Sequence, residues 1–207
     1  MVQPSTGQII KNSVAIGLSR LRDWLGLERN ILVMLTTVLI LSMGEELWIR
    51  FIPKYLQLLG ASAGIIALYG TLKDLLDAIY QYPGGWLSDR FGRRAALVLF
   101  ALLSIIGYGV YLFSPNWAWV LTGTFFVMAW SSLTLPAIFA IIGDNLQKTR
   151  RTIGFGVQSI LKRVPIILAP PLGGWFIATL GLAVGVKLGL IITIILCLIA
   201  IFIVLRY

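Results

Sequence analysis

Six apolar runs, each about twenty residues long, constrain this chain more than any other feature of its sequence. At a rise of roughly 1.5 Å per residue, a helix of that length crosses a hydrocarbon core of roughly 30 Å. Hydrophobic residues make up 58% of the 207 residues and charged residues only 12%, which is too little charge for a surface in contact with water. The sequence therefore predicts an integral membrane protein whose spanning elements are helices.

Short breaks rich in proline, glycine or charge separate the apolar runs. One break lies at Pro53, Lys54 and Gly60, and another is the charged segment 88–94. The predicted spans cover residues 30–50, 61–83, 94–113, 117–141, 152–179 and 185–205. Because tight connections join antiparallel neighbours, we expect residues 29–207 to form one all-α bundle of six transmembrane helices.

Residues 1–28 are expected to form a cytoplasmic segment outside the bundle. Apolar residues recur there at spacings of three and four, namely Ile10, Val14, Leu18, Leu21 and Leu25. This spacing is typical of an amphipathic helix that lies on an anionic membrane surface. A disordered tail, whose basic residues only favour one orientation, is the alternative.

Basic residues outside the predicted spans indicate the orientation of the bundle. Eleven of them fall on one side and three on the other, and connections rich in Lys and Arg stay in the cytoplasm. The eleven are Lys11, Arg20, Arg22, Arg29, Arg90, Arg93, Arg94, Lys148, Arg150, Arg151 and Arg206, and the three are Arg50, Lys54 and Lys187. Both termini are therefore expected in the cytoplasm, in a multi-pass protein of the plasma (inner) membrane.

Tryptophans near the ends of the predicted spans support these boundaries. They are Trp48, Trp86, Trp117, Trp119 and Trp175. An indole at the membrane surface buries its ring in the apolar layer and keeps its N–H in contact with water.

Charge and residue usage exclude several other classes of function. The formal charge of +9 arises from short connecting segments and not from a basic stripe with aromatic side chains, so we expect no nucleic-acid partner. The sequence contains no histidine and one cysteine, Cys197, which excludes imidazole catalysis, an intrachain disulfide and a Cys-cluster metal site. We expect no catalytic residues, no metal and no cofactor.

Residues 85–94 read GWLSDRFGRR and join the second and third predicted spans on the cytoplasmic side. This segment resembles the G-x-L-x-D-R-x-G-R-R signature of the major facilitator superfamily, and it lies where that family carries the signature. The resemblance implies one half of the major facilitator fold. It further implies the amino-terminal six-helix half of a secondary transporter that works by alternating access around a midplane cavity.

The chemistry of this signature favours a conformational latch. Asp89 and Arg93 are spaced i, i+4, so a helical turn would let them form a charge-assisted hydrogen bond. Asp144, at the cytoplasmic end of the fourth span, is the expected third member of the cluster. The predicted latch comprises Gly85, Asp89, Arg90, Gly92, Arg93, Arg94 and Asp144.

The fifth span resembles part of the family's antiporter signature, G-x8-G-x3-G-P-x2-G-G. The matching residues are Gly156, Pro170, Gly173 and Gly174. Pro165 and Ala169 stand where that pattern has glycines, and the arginine that the family carries early in span four is missing from residues 122–124. Small residues and prolines let helices approach closely and bend, so the partial match favours export by antiport.

Seven charged residues fall inside the predicted spans, and they are Glu45, Glu46, Lys73, Asp74, Asp77, Lys162 and Arg163. Because a charge at mid-bilayer costs roughly 2.5–3.5 kcal/mol on insertion scales, these groups should face a cavity or one another. Together with Arg50 they are the candidates for proton coupling or for a substrate cavity. Lys162 and Arg163 either hold an anionic group or brace span two through its aspartates, and bracing is the favoured interpretation.

The adjacent acids Glu45 and Glu46 are expected to differ in role. Neighbouring residues lie about 100° apart around a helix, so both cannot face one cavity equally. Glu46 and Arg50 have the favourable acid-first i, i+4 spacing and are expected to pair. Glu45 is then the group left to exchange a proton, unless every acid in the spans is permanently paired.

The sequence as a whole predicts a secondary active transporter of a small solute, with proton-coupled efflux of a drug or metabolite as the specific expectation. Its expected partners are the lipid bilayer, a small-molecule substrate, and either a missing C-terminal six-helix half or a second copy. A fragment of a longer transporter and a half-size protein that pairs are both open. A membrane-embedded enzyme or a non-transporting scaffold that uses the intramembrane acids is the alternative function.

Overall fold

The computed structural model describes residues 29–130 and 148–206, and the regular secondary structure in these ranges is entirely helical. The all-α prediction is thus confirmed for this part of the chain. The elements are α1 (Arg29–Glu46), a 3₁₀ helix (Ile49–Phe51), α2 (Ile52–Leu58), α3 (Ala63–Phe91), α4 (Arg93–Leu112), α5 (Trp117–Trp130), α6 (Lys148–Leu180) and α7 (Leu182–Arg206). Residues 1–28 and Asp144 lie outside the described residues, so the predictions made for them stay predictions.

Length and apolar composition indicate which described helices are candidates for spanning a membrane. In the described ranges, three stretches are long and apolar enough to cross a bilayer: Arg94–Leu112, Lys162–Leu180 and Leu182–Arg206. Trp117–Trp130 is shorter and also apolar. These helices support an integral membrane protein, while the count of six spans remains a prediction from the sequence.

The first span ends differently from the prediction. The sequence placed a break at Pro53, but the α-helix stops at Glu46 and the chain continues through a 3₁₀ turn into α2, whose first turn contains Pro53. A proline in a first helical turn removes an N–H that has no helical partner anyway. Proline therefore marks the start of a helix here, and the break follows α2, at Gly60 with φ 84°.

The predicted turn at residues 88–94 is also shorter than expected. Helix α3 continues to Phe91 and α4 starts at Arg93, so Gly92 alone joins them. Its φ of 84° and ψ of 147° belong to a region that is essentially restricted to glycine. Asp89 and Arg93 consequently lie on two different helices, and the helical i, i+4 contact predicted between them does not apply.

Helix α7 lies at the centre of the described bundle, where it packs against α1, α4 and α6. Helix α6 also packs against α1, and α3 packs against α4. At Gly173 on α6, an added methyl group would collide with the backbone carbonyl oxygen of Leu47. Only glycine therefore allows α6 to approach the end of α1 this closely.

Candidate functional site

Glu45 lies in the last turn of α1 and is buried, with 8% of its surface exposed. Its Oε1 atom has no hydrogen-bond partner among the described residues. The groups in electrostatic range of its carboxyl include Glu46, Lys73, Lys162 and Asp77. A buried carboxyl oxygen without a partner is costly, so the site is suited to receive a proton, a cation or a hydrogen-bond donor.

Four aromatic residues beside Glu45 form what we call the aromatic cluster: Trp48, Tyr69, Tyr108 and Tyr111. The Trp48 ring meets Tyr108 and Tyr111 edge to face, with 5.6 Å between ring centroids in each pair. This arrangement is the favourable one for aromatic quadrupoles. All four side chains are at most 6% exposed, so the cluster is a packed wall beside the carboxyl.

Hydrogen bonds to α7 and α5 hold the cluster in place. Trp48 Nε1 donates to Thr193 Oγ1 at 3.1 Å, and the Thr193 hydroxyl has the carbonyl oxygens of Gly44 and Gly189 at 2.7 Å as acceptors. Tyr111 Oη lies 2.8 Å from Thr124 Oγ1. Burial of the Trp48 and Tyr111 rings therefore does not leave their polar tips without a partner.

Glu46 differs from its neighbour, as the sequence predicted. Arg50 Nε donates to Glu46 Oε2 at 3.0 Å, and the Arg50 side chain is 50% exposed. The expected i, i+4 ion pair is present, although it bridges the end of α1 and the 3₁₀ helix. The two acids therefore occupy different environments.

The other charged residues of the predicted cavity lie on α3 and α6. Lys73 and Asp77 are half-buried, whereas Asp74 is exposed. The side chains of Lys162 and Arg163 are exposed as well. Lys73, Asp77 and Lys162 are among the charges that act electrostatically on Glu45, while the proposed bracing of α3 by α6 stays a prediction.

The predicted latch residues lie at the opposite end of α4. Asp89, Arg90 and Arg94 are exposed, and the Arg90 guanidinium carbon lies 5.0 Å from the centre of the Trp86 ring. Gly85 is half-buried, and the side chain of Arg93 lies outside the part of the chain that the structure describes. Ser88, one residue before Asp89, is buried, and its hydroxyl has no partner among the described residues.

The glycines and proline of the predicted packing signature are not equivalent. Gly173 is buried against Leu47, and a side chain at Gly174 would touch Phe51 at 3.7 Å. Pro170 is half-buried, and Gly156 has open space beside it within the described residues. Close helix approach thus uses the C-terminal half of the signature.

A family model described as Major Facilitator Superfamily matches residues 33–207. The chain belongs to this superfamily. The family predicted from the signature at residues 85–94 is therefore confirmed.

Curated relatives include efflux proteins. The superfamily chain is 27% identical over 172 residues to "Multi-drug resistance efflux pump PmrA homolog" of Lactococcus lactis subsp. lactis (strain IL1403), covering 79% of this chain and 42% of that protein. It is 21% identical over 149 residues to "Quinolone resistance protein NorA" of Staphylococcus aureus, covering 72% of this chain and 38% of that protein. The chain thus spans about two fifths of these relatives.

Solved structures share the fold. The "In meso crystal structure of the POT family transporter PepTSo" superposes with a TM-score of 0.70 at 16% identity, covering 87% of this chain and 38% of that one. The "Crystal structure of auto inhibited POT family peptide transporter" gives 0.67 at 14% identity, with coverage of 86% and 37%. At these identities the likeness concerns the fold alone.

Sequence reasoning missed the aromatic cluster. Trp48 was expected at the membrane surface, but it is 0% exposed and its N–H donates to Thr193, a residue 145 positions away. A local signal did exist, since Tyr108 and Tyr111 are spaced i, i+3 and share one helix face. Nothing local, however, indicated that this face meets the end of α1.

Proposed function

We propose that this major facilitator chain contributes the amino-terminal half of a transporter that exports a small solute in exchange for protons. In this mechanism, Glu45 is the group that binds and releases the coupling proton. The cavity opens alternately to each side of the membrane while the aromatic cluster keeps its packing. Glu46 has a structural role as the partner of Arg50.

The burial of Glu45, with one oxygen unpartnered among the described residues, is the observation that carries this proposal. A charge in a dry protein interior is costly, so a carboxyl group there responds strongly to the arrival or loss of a proton or cation. Glu46 lacks this property because Arg50 is bound to it at 3.0 Å. A group that couples transport to protons must bind and release a proton, so it needs an oxygen that no side chain holds permanently. Glu45 fits that requirement better than Glu46.

The names of two relatives support export and suggest a probe. One relative is a multi-drug resistance efflux pump homolog and the other a quinolone resistance protein. We therefore choose a quinolone as the first substrate to test. Because the chain spans 42% or less of these relatives, the second half of the cavity comes either from a C-terminal six-helix half or from a second copy.

A transport assay tests the assignment of Glu45. The complete transporter, or a demonstrated dimer of this chain, is reconstituted in vesicles with an imposed pH gradient and supplied with a quinolone. Glu45→Gln should abolish gradient-driven transport yet keep quinolone binding, because the amide resembles a protonated carboxyl group but releases no proton. Lys54→Gln, at an exposed base on α2 outside the predicted cavity, is the control and should transport at the unmutated rate.

The paired acid gives a second comparison in the same assay. Glu46→Gln should lower expression or folding, because Arg50 loses its partner, while the protein that does fold still responds to the gradient. Gradient-driven transport that survives Glu45→Gln at the unmutated rate would remove Glu45 as the coupling site. Asp74 or Asp77 would then be the next residue to test.

The proposed orientation places both termini and Asp89 in the cytoplasm. Cysteine labelling tests it in a Cys197→Ser background, because Cys197 is the free thiol of the chain. Phe91 is a suitable position, being 59% exposed, whereas the neighbouring Ser88 is buried. We expect an impermeant reagent added outside intact cells to label Asn116→Cys and to spare Phe91→Cys; the reverse pattern contradicts the orientation.

A further inference from the structure

A groove between α4 and α7 begins at the end of α4 that is opposite the aromatic cluster. It encloses about 440 Å³, a size typical of small-molecule sites. Its walls are Val98, Leu99 and Leu102 from α4 and Val204 and Leu205 from α7, with Arg94 at one end. Along α4, Arg94 is fourteen residues from Tyr108 of the aromatic cluster, which corresponds to roughly 21 Å. Leu102, at the other end of the groove, is six residues or roughly 9 Å from Tyr108, and neither Glu45 nor a ring of the aromatic cluster lines the groove.

The walls of this groove face outward and are apolar. Leu99 is 41% exposed, Leu102 47% and Leu205 71%. Both helices are long and apolar enough to cross a membrane, so their exposed apolar side chains are suited to contact hydrocarbon chains. The lining favours an occupant that has a long apolar part.

The end of the groove at Arg94 favours a negative charge. Arg94 lies in the first turn of α4, and Arg206 lies in the last turn of α7 beside Leu205. The start of α4 has no acidic residue in its first turn and no side-chain cap, and helix N-termini attract phosphate groups through their N–H donors. Among the described residues in the last turn of α3, Arg90 is a further exposed cation and Asp89 is an exposed acid.

We infer that this groove binds one anionic phospholipid. The lipid phosphate lies at Arg94 and the first turn of α4, and an acyl chain lies along Val98, Leu99 and Leu102. This occupant matches both halves of the groove, since hydrocarbon fits the walls and the phosphate complements the arginines. On the proposed orientation the bound lipid belongs to the cytoplasmic leaflet, where anionic headgroups attract basic residues near the spans.

Native mass spectrometry of the full chain tests this inference. The protein is reconstituted in nanodiscs of phosphatidylglycerol and phosphatidylcholine and released into detergent, and the lipids that remain bound are counted. Arg94→Gln removes the cation, and Ala95→Phe fills the groove, which Ala95 also lines. The matched controls are Lys187→Gln, an exposed base on α7, and Ile195→Phe, an apolar site of α7 that is 51% exposed.

The wild-type chain should retain one phosphatidylglycerol in preference to phosphatidylcholine. Retention should fall about fivefold in Arg94→Gln, the factor that corresponds to roughly 1 kcal/mol for one basic residue near the membrane surface. Ala95→Phe should lower it at least as much, and both controls should match the wild type. Glycerol 3-phosphate, which has the phosphate but no acyl chain, should not displace the lipid.

Three results would overturn the inference. The first is equal lipid retention in the wild type and in both groove variants. The second is equal retention of phosphatidylglycerol and phosphatidylcholine. The third is displacement of the lipid by glycerol 3-phosphate, which would make the groove a simple anion site. Unfolding midpoints in detergent establish that each variant is folded before lipids are counted. If Arg94→Gln does not fold, Ala95→Phe against Ile195→Phe decides the question.

Discussion

The aromatic cluster and the signature turn at residues 85–94 lie at opposite ends of α4 and are built differently. In the cluster, the ring of Trp48, which lies between α1 and the 3₁₀ helix, is buried with rings from α3 and α4, and Trp48 and Tyr111 form hydrogen bonds to α7 and α5. In the turn, Asp89 and Arg90 are exposed, and Gly92 alone connects two long helices. Packing within this chain fixes the geometry of the cluster, whereas the turn presents its charges to whatever surface lies opposite.

The largest expected effect is on the cluster. Trp48→Ala removes a side chain with no exposed surface, together with two ring contacts and a hydrogen bond. Loss of a large buried aromatic side chain costs about 3–5 kcal/mol in protein cores. Denaturant titration in detergent micelles should show this loss, while Trp119→Ala, at a ring that is 51% exposed, should change the free energy of unfolding by less than about 1 kcal/mol. Equal effects would mean that the cluster is not a packed core.

A smaller effect is expected at the backbone of the signature turn. Gly92→Ala forces a side chain into a conformation that is essentially restricted to glycine, at a cost of about 1–3 kcal/mol. Nothing lies within 4 Å of the added methyl group among the described residues, so strain and not collision is the cause. Gly70→Ala is the control, because Gly70 is helical with open space beside it, and alanine there should be neutral or stabilising. A neutral Gly92→Ala would show that the chain turns in another way.

The smallest effect on folding is expected at Asp89. Because its side chain is exposed, Asp89→Asn should change the free energy of unfolding of this chain by less than about 0.5 kcal/mol. In the complete transporter, however, loss of the charge should weaken the state that is closed to the cytoplasm. Distances between spin labels on the helix ends that are expected in the cytoplasm should then shift toward the open state. Unchanged distances would leave the turn as a signal for topology only.

Local sequence patterns predicted some of these features. The i, i+4 spacing indicated the Glu46–Arg50 pair, and the signature at residues 85–94 indicated the family, because both are readable from neighbouring residues. The α-helical end at Glu46 was missed since Pro53 suits a helix start as well as a break. The end of α3 was missed because its charged last turn looked like a connection.

The aromatic cluster could not be predicted because it depends on long-range contacts. Trp48 finds its hydrogen-bond partner 145 residues away on α7, and its ring partners come from α4. In an apolar span, tyrosines and tryptophans near the ends are equally consistent with a position at the membrane surface. Only the contact of the Trp48 ring with α4 and the packing of α1 against α7 distinguish the two.

Proton release on substrate binding is the most direct test of the difference between Glu45 and Glu46. The purified complete transporter, in detergent and nearly without buffer, receives a quinolone while a pH indicator reports released protons. We expect release from the wild type and from correctly folded Glu46→Gln, and none from Glu45→Gln, although quinolone binding is retained. Release of the same number of protons by Glu45→Gln would contradict the assignment of Glu45 as the coupling group.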